Sequence, residues 1–513
     1  MIAGLILAAA LVAAIAWGTR RLIDRGGGAS DGHAVRRFFQ YLVLYGLLVV
    51  AASGLIGLLA RLFADRSELV RFDATHLARS LAFAVLGLPL YVGMAAWSRR
   101  RLVDDPAEGR SFGWALYLTL ASLTALVAAM VSLHGVLAWI VGFEPRDGGD
   151  PAGLLVWAAL WVIHLWAEKR FSATPRTGLH HLLGSLIGLA TAATGLIGLL
   201  AGAIDSLMGE AEQVIVGGDD GLARGAVTFV VGAPVWIFYW LKTAIEEAKI
   251  PLWLGYVLLA GVGGPLAAAI AAASTVVYRA LVWWAGDPVS ADPERHFADL
   301  PTSVATVVVA GSIWWYHRSV LEDTEGERSE VRRVYEYLMA GVGLVAAAAG
   351  VATVLVALIE GVTGGGGVVV GQSSVNTLLA ALTLLLVGSP VWWLFWRRIQ
   401  HANPAEERLS PTRRIYLFLL FGVGGVAAVI SLLTVGFIVF EDTFEGSLGA
   451  ETLRSIRFAL AILATTGAVA AYHWAVYRLD RQHGPIGHRG PRYVLLIGAA
   501  DEDIAAAVAR HTG

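Results

Sequence analysis

Val331-Arg332-Arg333-Val334-Tyr335-Glu336-Tyr337-Leu338 opens a stretch that runs apolar to Ile359 and turns at Gly364 to Gly367. It returns from Leu378 and ends Gly388-Ser389-Pro390-Val391-Trp392-Trp393-Leu394-Phe395-Trp396-Arg397-Arg398. Each apolar run reaches the roughly 20 residues that a helix needs to cross a bilayer. The stretch therefore predicts a transmembrane helical hairpin: basic opening, apolar span, glycine turn, second span, aromatic and basic end.

The same plan recurs outward along the chain. Ala52-Ser53-Gly54-Leu55-Ile56-Gly57-Leu58-Leu59-Ala60 returns as Ala193-Thr194-Gly195-Leu196-Ile197-Gly198-Leu199-Leu200-Ala201. A Gly-x-Pro stands at Gly87-Leu88-Pro89, Gly232-Ala233-Pro234 and Gly388-Ser389-Pro390, followed each time by an aromatic (Tyr91, Trp236, Trp392). Alternate hairpins end instead on a histidine: His164, His317 and His473. Two hairpins thus make one repeat of four helices, and three repeats fill most of the chain. The expected divisions are an N-terminal membrane helix in 1–30, repeats at 31–177, 178–330 and 331–480, and a tail at 481–513. In the tail, Tyr493 to Gly498 reads as a strand and Asp501 to His511 as a helix, a short βα unit. The fold class is an all-α integral membrane protein of about thirteen transmembrane helices. An even number of spans per repeat makes the repeats parallel rather than inverted.

Composition agrees. The chain is 57% hydrophobic and 15% charged, with mean hydropathy +0.66, against roughly 25% charged residues in soluble domains. A net charge of -2 argues against nucleic acid as a partner, and with no cysteine there is no disulfide or thiolate chemistry. The lipid bilayer is the evident partner, with a membrane or cytoplasmic protein beside it. Lys and Arg in the loops divide 23 to 5 between the two sides. By the positive-inside rule the rich side is cytoplasmic. The N-terminus then lies outside and the C-terminus in the cytoplasm of a cell whose inner (plasma) membrane holds the chain. The run Ile2 to Trp17, with Arg20, Arg21 and Arg25 after it, is the reverse of a signal peptide and reads as an uncleaved helix.

The openings Arg332, Arg333, Tyr335, Tyr337, Leu338 and, in variant form, Arg413, Arg414, Tyr416, Phe418, Leu419 resemble a bacterial multi-pass membrane family, domain of unknown function 5671. The resemblance covers residues 35–480 in three tandem copies, and the stretch 112–167 departs from it most. It implies the membrane fold and carries no activity with it.

Few residues offer chemistry. His164, His317 and His473 sit among aromatics near the arginine-rich ends of their spans. Such histidines can relay protons or ligate haem iron. The expectation favours an interfacial belt of amphipathic rings instead, with no cofactor and haem as the lesser alternative. Gly261-Val262-Gly263-Gly264-Pro265 is the one glycine run with a proline in it, so a helix break is expected there, and His134 lies deep in its span. Gly261, Gly263, Gly264, Pro265 and His134 are therefore the candidates for a break or pathway. Gly54, Gly195 and Gly350 offer close-packing faces, expected to turn inward on a ring of repeats. Two short extended segments are expected at Val214 to Gly217 and Val368 to Gly371. His180-His181 are adjacent, not i,i+4, so no metal site is read there. No nucleophile or phosphate-binding pattern appears, and an enzyme is not expected. The functional expectation is a non-enzymatic scaffold or sensor that presents a cytoplasmic segment or partner. The alternative is a passive transporter or channel with a pathway between repeats.

Overall fold

The computed structural model describes residues 32–64, 74–172, 179–208, 221–246, 251–322, 330–363, 374–402, 407–408 and 410–482. The expected N-terminal helix, the extended segments at 214–217 and 368–371, and the strand and helix of the tail lie outside those residues. Among the described residues the structure is helical, with no strand.

The long helices follow in order: α1 (Gly32–Phe63), α2 (Ala74–Asp104), α3 (Phe112–Val141), α4 (Gly149–Phe171), α5 (Leu179–Met208) and α6 (Gly221–Leu241). They continue as α7 (Leu252–Ala285), α8 (Leu300–Glu322), α9 (Glu330–Val362), α10 (Ser374–Gln400), α11 (Pro411–Glu445) and α12 (Arg457–Gln482). Eleven are long and apolar enough to cross a membrane. The other, α8, has 23 residues but is less apolar, because Trp314, Trp315, Tyr316, His317 and Arg318 crowd its last turns.

Local chemistry sets the ends of α3. The Ser111 hydroxyl accepts the Trp114 N–H at 3.2 Å, satisfying one of the orphan donors of the first turn. Gly142 closes the helix at φ 98°, a left-handed geometry that a side chain disfavours.

The described helices pack as two units. One holds α1 to α6, α7 up to Val276, and α8 from its leading segment at Asp292 up to Ser319; the other holds Val277–Ala291 and α9 to α12. In the first, Tyr41, Leu44 and Leu48 of α1 meet Leu102 of α2 and Trp114, Tyr117 and Leu118 of α3. Beside them Leu126 and Met130 of α3 meet Ile187 of α5 and Val231 of α6. In the second unit Tyr337 and Met339 of α9, Trp396 and Ile399 of α10 and Leu417 of α11 are buried. There the Asn376 side chain donates to the Asp287 carbonyl at 2.7 Å and accepts the Asp287 N–H at 2.9 Å, pinning residues 277–291 to α10.

Lipid tails give helices little hydrophobic reason to associate, so close packing through small residues must do it. The repeated glycines serve this purpose. Gly87, Gly232 and Gly388 of the Gly-x-Pro motifs press on Val50, on Ala192 and on Ala346 with Ala347, each on the preceding helix. Gly54 rests on Phe83 and Ala84, Gly195 on Thr228 and Phe229, and Gly350 on Ala381, Leu384 and Leu385. The last three therefore face the second helix of their own hairpin, not the interior of a ring. A glycine shows its packing face in the sequence but not which neighbour will take it.

Two of the Gly-x-Pro prolines sit beside locally rewound turns, while Pro390 lies inside an uninterrupted α-helix. In α2 a π-helical turn at Phe83–Gly87 precedes Pro89, and in α6 one at Ile237–Leu241 follows Pro234. Such widened turns accommodate the bond that proline cannot make. The expected break in α7 takes the same form. The chain stays helical from Leu252 to Ala285, winding as a π-helix over Tyr256–Gly263 and as an α-helix from Gly264 onward. An α-helical Gly261 carbonyl would collide with the Pro265 ring, and the wider turn moves it aside.

Candidate functional site

The chemistry-bearing side chains gather at the arginine-rich ends of the helices. His164 of α4, His317 of α8 and His473 of α12 are each buried, at 2%, 0% and 1% exposure. The belt expectation is thus corrected: these rings face protein. Trp166, Trp315, Trp393 and Trp474 are among the exposed aromatics of that region. In each histidine Nδ1 lies on the carbonyl four residues back: Leu160 at 2.7 Å, Ile313 at 2.9 Å and Val469 at 2.8 Å. A carbonyl only accepts, so Nδ1 carries the hydrogen and the neutral ring keeps its lone pair on Nε2. In His164 that lone pair accepts the Tyr117 hydroxyl at 2.9 Å. In His317 and His473 Nε2 is buried without a hydrogen-bond partner.

Aromatic rings enclose the latter two. His317 packs against Trp240 (centroids 5.4 Å apart), Tyr316 and Tyr256, and His473 against Trp396 (5.6 Å), Tyr472 and Tyr416. The Trp240 indole N–H donates to the Tyr316 hydroxyl at 3.0 Å, and Trp396 repeats this to Tyr472 at 2.8 Å. Both pairs span 76 residues, so each bond joins one hairpin to the next. Substituting Trp396→Phe keeps the ring and removes the donor. It is expected to cost about 1 kcal/mol as a lower thermal midpoint in detergent, with no further loss on adding Tyr472→Phe.

Gly261 and His317, separate candidates in the sequence, meet here: a side chain at Gly261 would strike the imidazole Cγ and Cδ2. Gly263 is buried in the π-helical stretch, and Gly264 and Pro265 begin the α-helical part of α7. His134 lies apart from these, on α3, with Nε2 at 3.4 Å from the Thr228 hydroxyl and its ring against Phe143.

Two ionic networks went unforeseen. Glu108, fully buried in the turn before α3, accepts from Arg36 at 3.1 Å and from Arg37 Nε at 2.8 Å, while Arg37 Nη2 pairs with Asp105 at 2.9 Å. Arg36 also donates to Gln40 at 2.7 Å, and Gln40 to Ser98 at 2.9 Å. In the second unit Glu407 accepts from Arg333 at 2.9 Å and from the Tyr337 hydroxyl at 3.0 Å. Arg413 donates to Tyr337 at 3.3 Å and grips Asp480 with Nε at 2.6 Å and Nη2 at 3.2 Å. A signal for both was present: Pro106-Ala107-Glu108-Gly109-Arg110 parallels Pro404-Ala405-Glu406-Glu407-Arg408, with the buried carboxylate one position later in the second.

The remaining copy departs from this pattern. In the register set by Gly54, Gly195 and Gly350, the sequence has Thr177-Gly178 where the other copies have Arg36-Arg37 and Arg332-Arg333, and His180-His181 stand at the places of Phe39-Gln40 and Tyr335-Glu336. His180 Nε2 stands 3.0 Å from Glu168 Oε2, and His181 Nε2 stands 3.6 Å from the same oxygen. The two rings lie 4.1 Å apart, and His181 also faces Tyr239. Adjacent histidines at the start of a helix thus converge on one carboxylate from the preceding helix. The spacing argument against them held for a helix interior and missed a partner from outside it.

The family described as "Domain of unknown function (DUF5671)" matches residues 37–146, 179–298 and 333–468, and the chain belongs to that family in three tandem copies. Neither a curated protein nor a solved structure matches the chain.

Proposed function

We propose that this DUF5671 chain is a non-enzymatic membrane scaffold or sensor that presents its arginine-rich face to a cytoplasmic partner. The observation that carries this is the placing of buried ion pairs at those ends. Glu108 and Glu407 each lock an arginine opening to a turn 71 and 74 residues further on. Ties of this kind hold loops in fixed relation. A frame that opened and closed would have to break buried charges, at about 3–5 kcal/mol for each pair.

The reading takes the chain as thirteen spans in three parallel four-helix repeats with a short βα tail. Its N-terminus lies outside the plasma membrane and its arginine-rich loops and tail lie within. The alternative is a passive pathway between repeats, favoured by His134 in its span and by the π-wound α7.

Two measurements on the full chain separate these readings. Vesicles containing the protein are expected to pass potassium, protons and small sugars no faster than empty ones. A photo-crosslinking residue at the exposed Arg110, in intact cells, is expected to yield one discrete adduct. Flux above empty vesicles together with no adduct would overturn the scaffold reading.

A further inference from the structure

We propose that Glu168, His180 and His181 bind a divalent transition-metal ion of the zinc class, which ties the end of α4 to the start of α5. This inference stands apart from the functional reading above and holds for a scaffold or a pathway alike.

Geometry comes first. Zinc bonds to imidazole nitrogen and carboxylate oxygen are about 2.0–2.2 Å long, which puts neighbouring donors of a tetrahedral site about 3.3 Å apart. Two of the donor separations here are 3.0 and 3.6 Å, and all three donors lie within 4.8 Å of one another. The two histidine-to-carboxylate separations thus already lie close to the spacing that an ion needs. The side chains of His180, His181 and Glu168 are 10%, 15% and 22% exposed, so the cluster is shielded but keeps an open side for water as a fourth ligand.

The donor set then selects the ion. Two imidazole nitrogens and one carboxylate suit zinc, cobalt, nickel or copper, whereas magnesium and calcium prefer oxygen alone.

The repeat supplies an independent argument. In the register set by Gly54, Gly195 and Gly350, the other two copies carry Phe39-Gln40 and Tyr335-Glu336 where this one has His180-His181. Neither of those pairs offers two nitrogen lone pairs to a metal. The second copy sets two imidazoles there, against a carboxylate from the preceding helix. A metal ion bound by these three groups would tie the two helices together, and metal binding of this kind adds directly to stability.

The test uses the full chain in detergent, purified without a polyhistidine tag and stripped with chelator. Cobalt(II) is expected to bind at one ion per chain with a visible absorption band that zinc displaces. Zinc is also expected to raise the thermal midpoint, since a ligand of the folded state alone must do so. Glu168→Gln should weaken cobalt binding at least about tenfold. The double variant His180→Arg with His181→Arg keeps charged partners for Glu168 but gives the metal no lone pair. It should keep the metal-free midpoint of the wild type yet bind cobalt about 100-fold more weakly and lose the zinc-dependent rise. Wild-type protein that binds no cobalt at this stoichiometry, or a double arginine variant that binds as the wild type does, would overturn the proposal. In that event the histidines would serve only as hydrogen-bonded partners of Glu168.

Discussion

Glu108→Leu is expected to destabilise the protein by about 3–5 kcal/mol, the usual cost of deleting one member of a buried ion pair. Glu108 has no exposure to water, and it holds Arg36 and Arg37 at 3.1 and 2.8 Å. With the carboxylate gone, the two arginines differ. Arg36 is 31% exposed and can turn to solvent, whereas Arg37, at 12%, stays largely inside with Asp105 at 2.9 Å. Most of the loss therefore comes from a largely buried guanidinium deprived of its nearest carboxylate, not from the missing attraction. That distinction makes a second measurement informative. The pair Glu108→Leu with Arg37→Met removes both charges together, and replacing a buried pair by apolar side chains is commonly neutral or better. The double variant should recover most of the thermal midpoint lost by Glu108→Leu. If the single variant melts like the wild type, Glu108 is not an anchor and the scaffold reading loses its main support.

This pair also shows how far the sequence could be read. The helices were legible because each span is an apolar run of bilayer length bounded by charge, turn residues or both. The helix that carries Gly261 to Pro265 runs from Leu252 to Ala285 without interruption, because its π-helical stretch takes up the proline. The membrane class, the three family copies and the residues of the histidine set rest on patterns that lie along the chain. The partners of those residues do not. Arg37 reaches Glu108 across 71 positions, and loop charges counted for orientation look like solvated charges until the fold buries one. Burial of His317 was equally hidden. Its helix is apolar around most of its circumference, so periodicity does not say which side meets lipid. Helical spacing alone argues against His180 and His181 as a pair of ligands, and the approach of Glu168 from the preceding helix brings the three together.

A glycine at a helix crossing gives the second large effect. Gly195→Val is expected to destabilise the protein by about 3 kcal/mol, the upper end of the usual range for overpacking. A side chain there would collide with the backbone of Thr228 and Phe229 on α6. Backbone cannot swing away as the end of a flexible side chain can, so α5 and α6 must move apart and lose contacts along their length. In lipid those contacts are what holds the two helices together. Gly46 on α1 provides the control, because nothing lies within 4 Å of a side chain placed there. Gly46→Ala should be neutral or stabilising by up to about 1 kcal/mol, since alanine favours the helix over glycine by that amount. The two variants test one idea in opposite directions: glycine is required where helices touch through backbone and is dispensable where they do not. Thermal midpoints in detergent that fall equally for Gly195→Val and Gly46→Ala would show that the repeated glycines are not the contact points between helices.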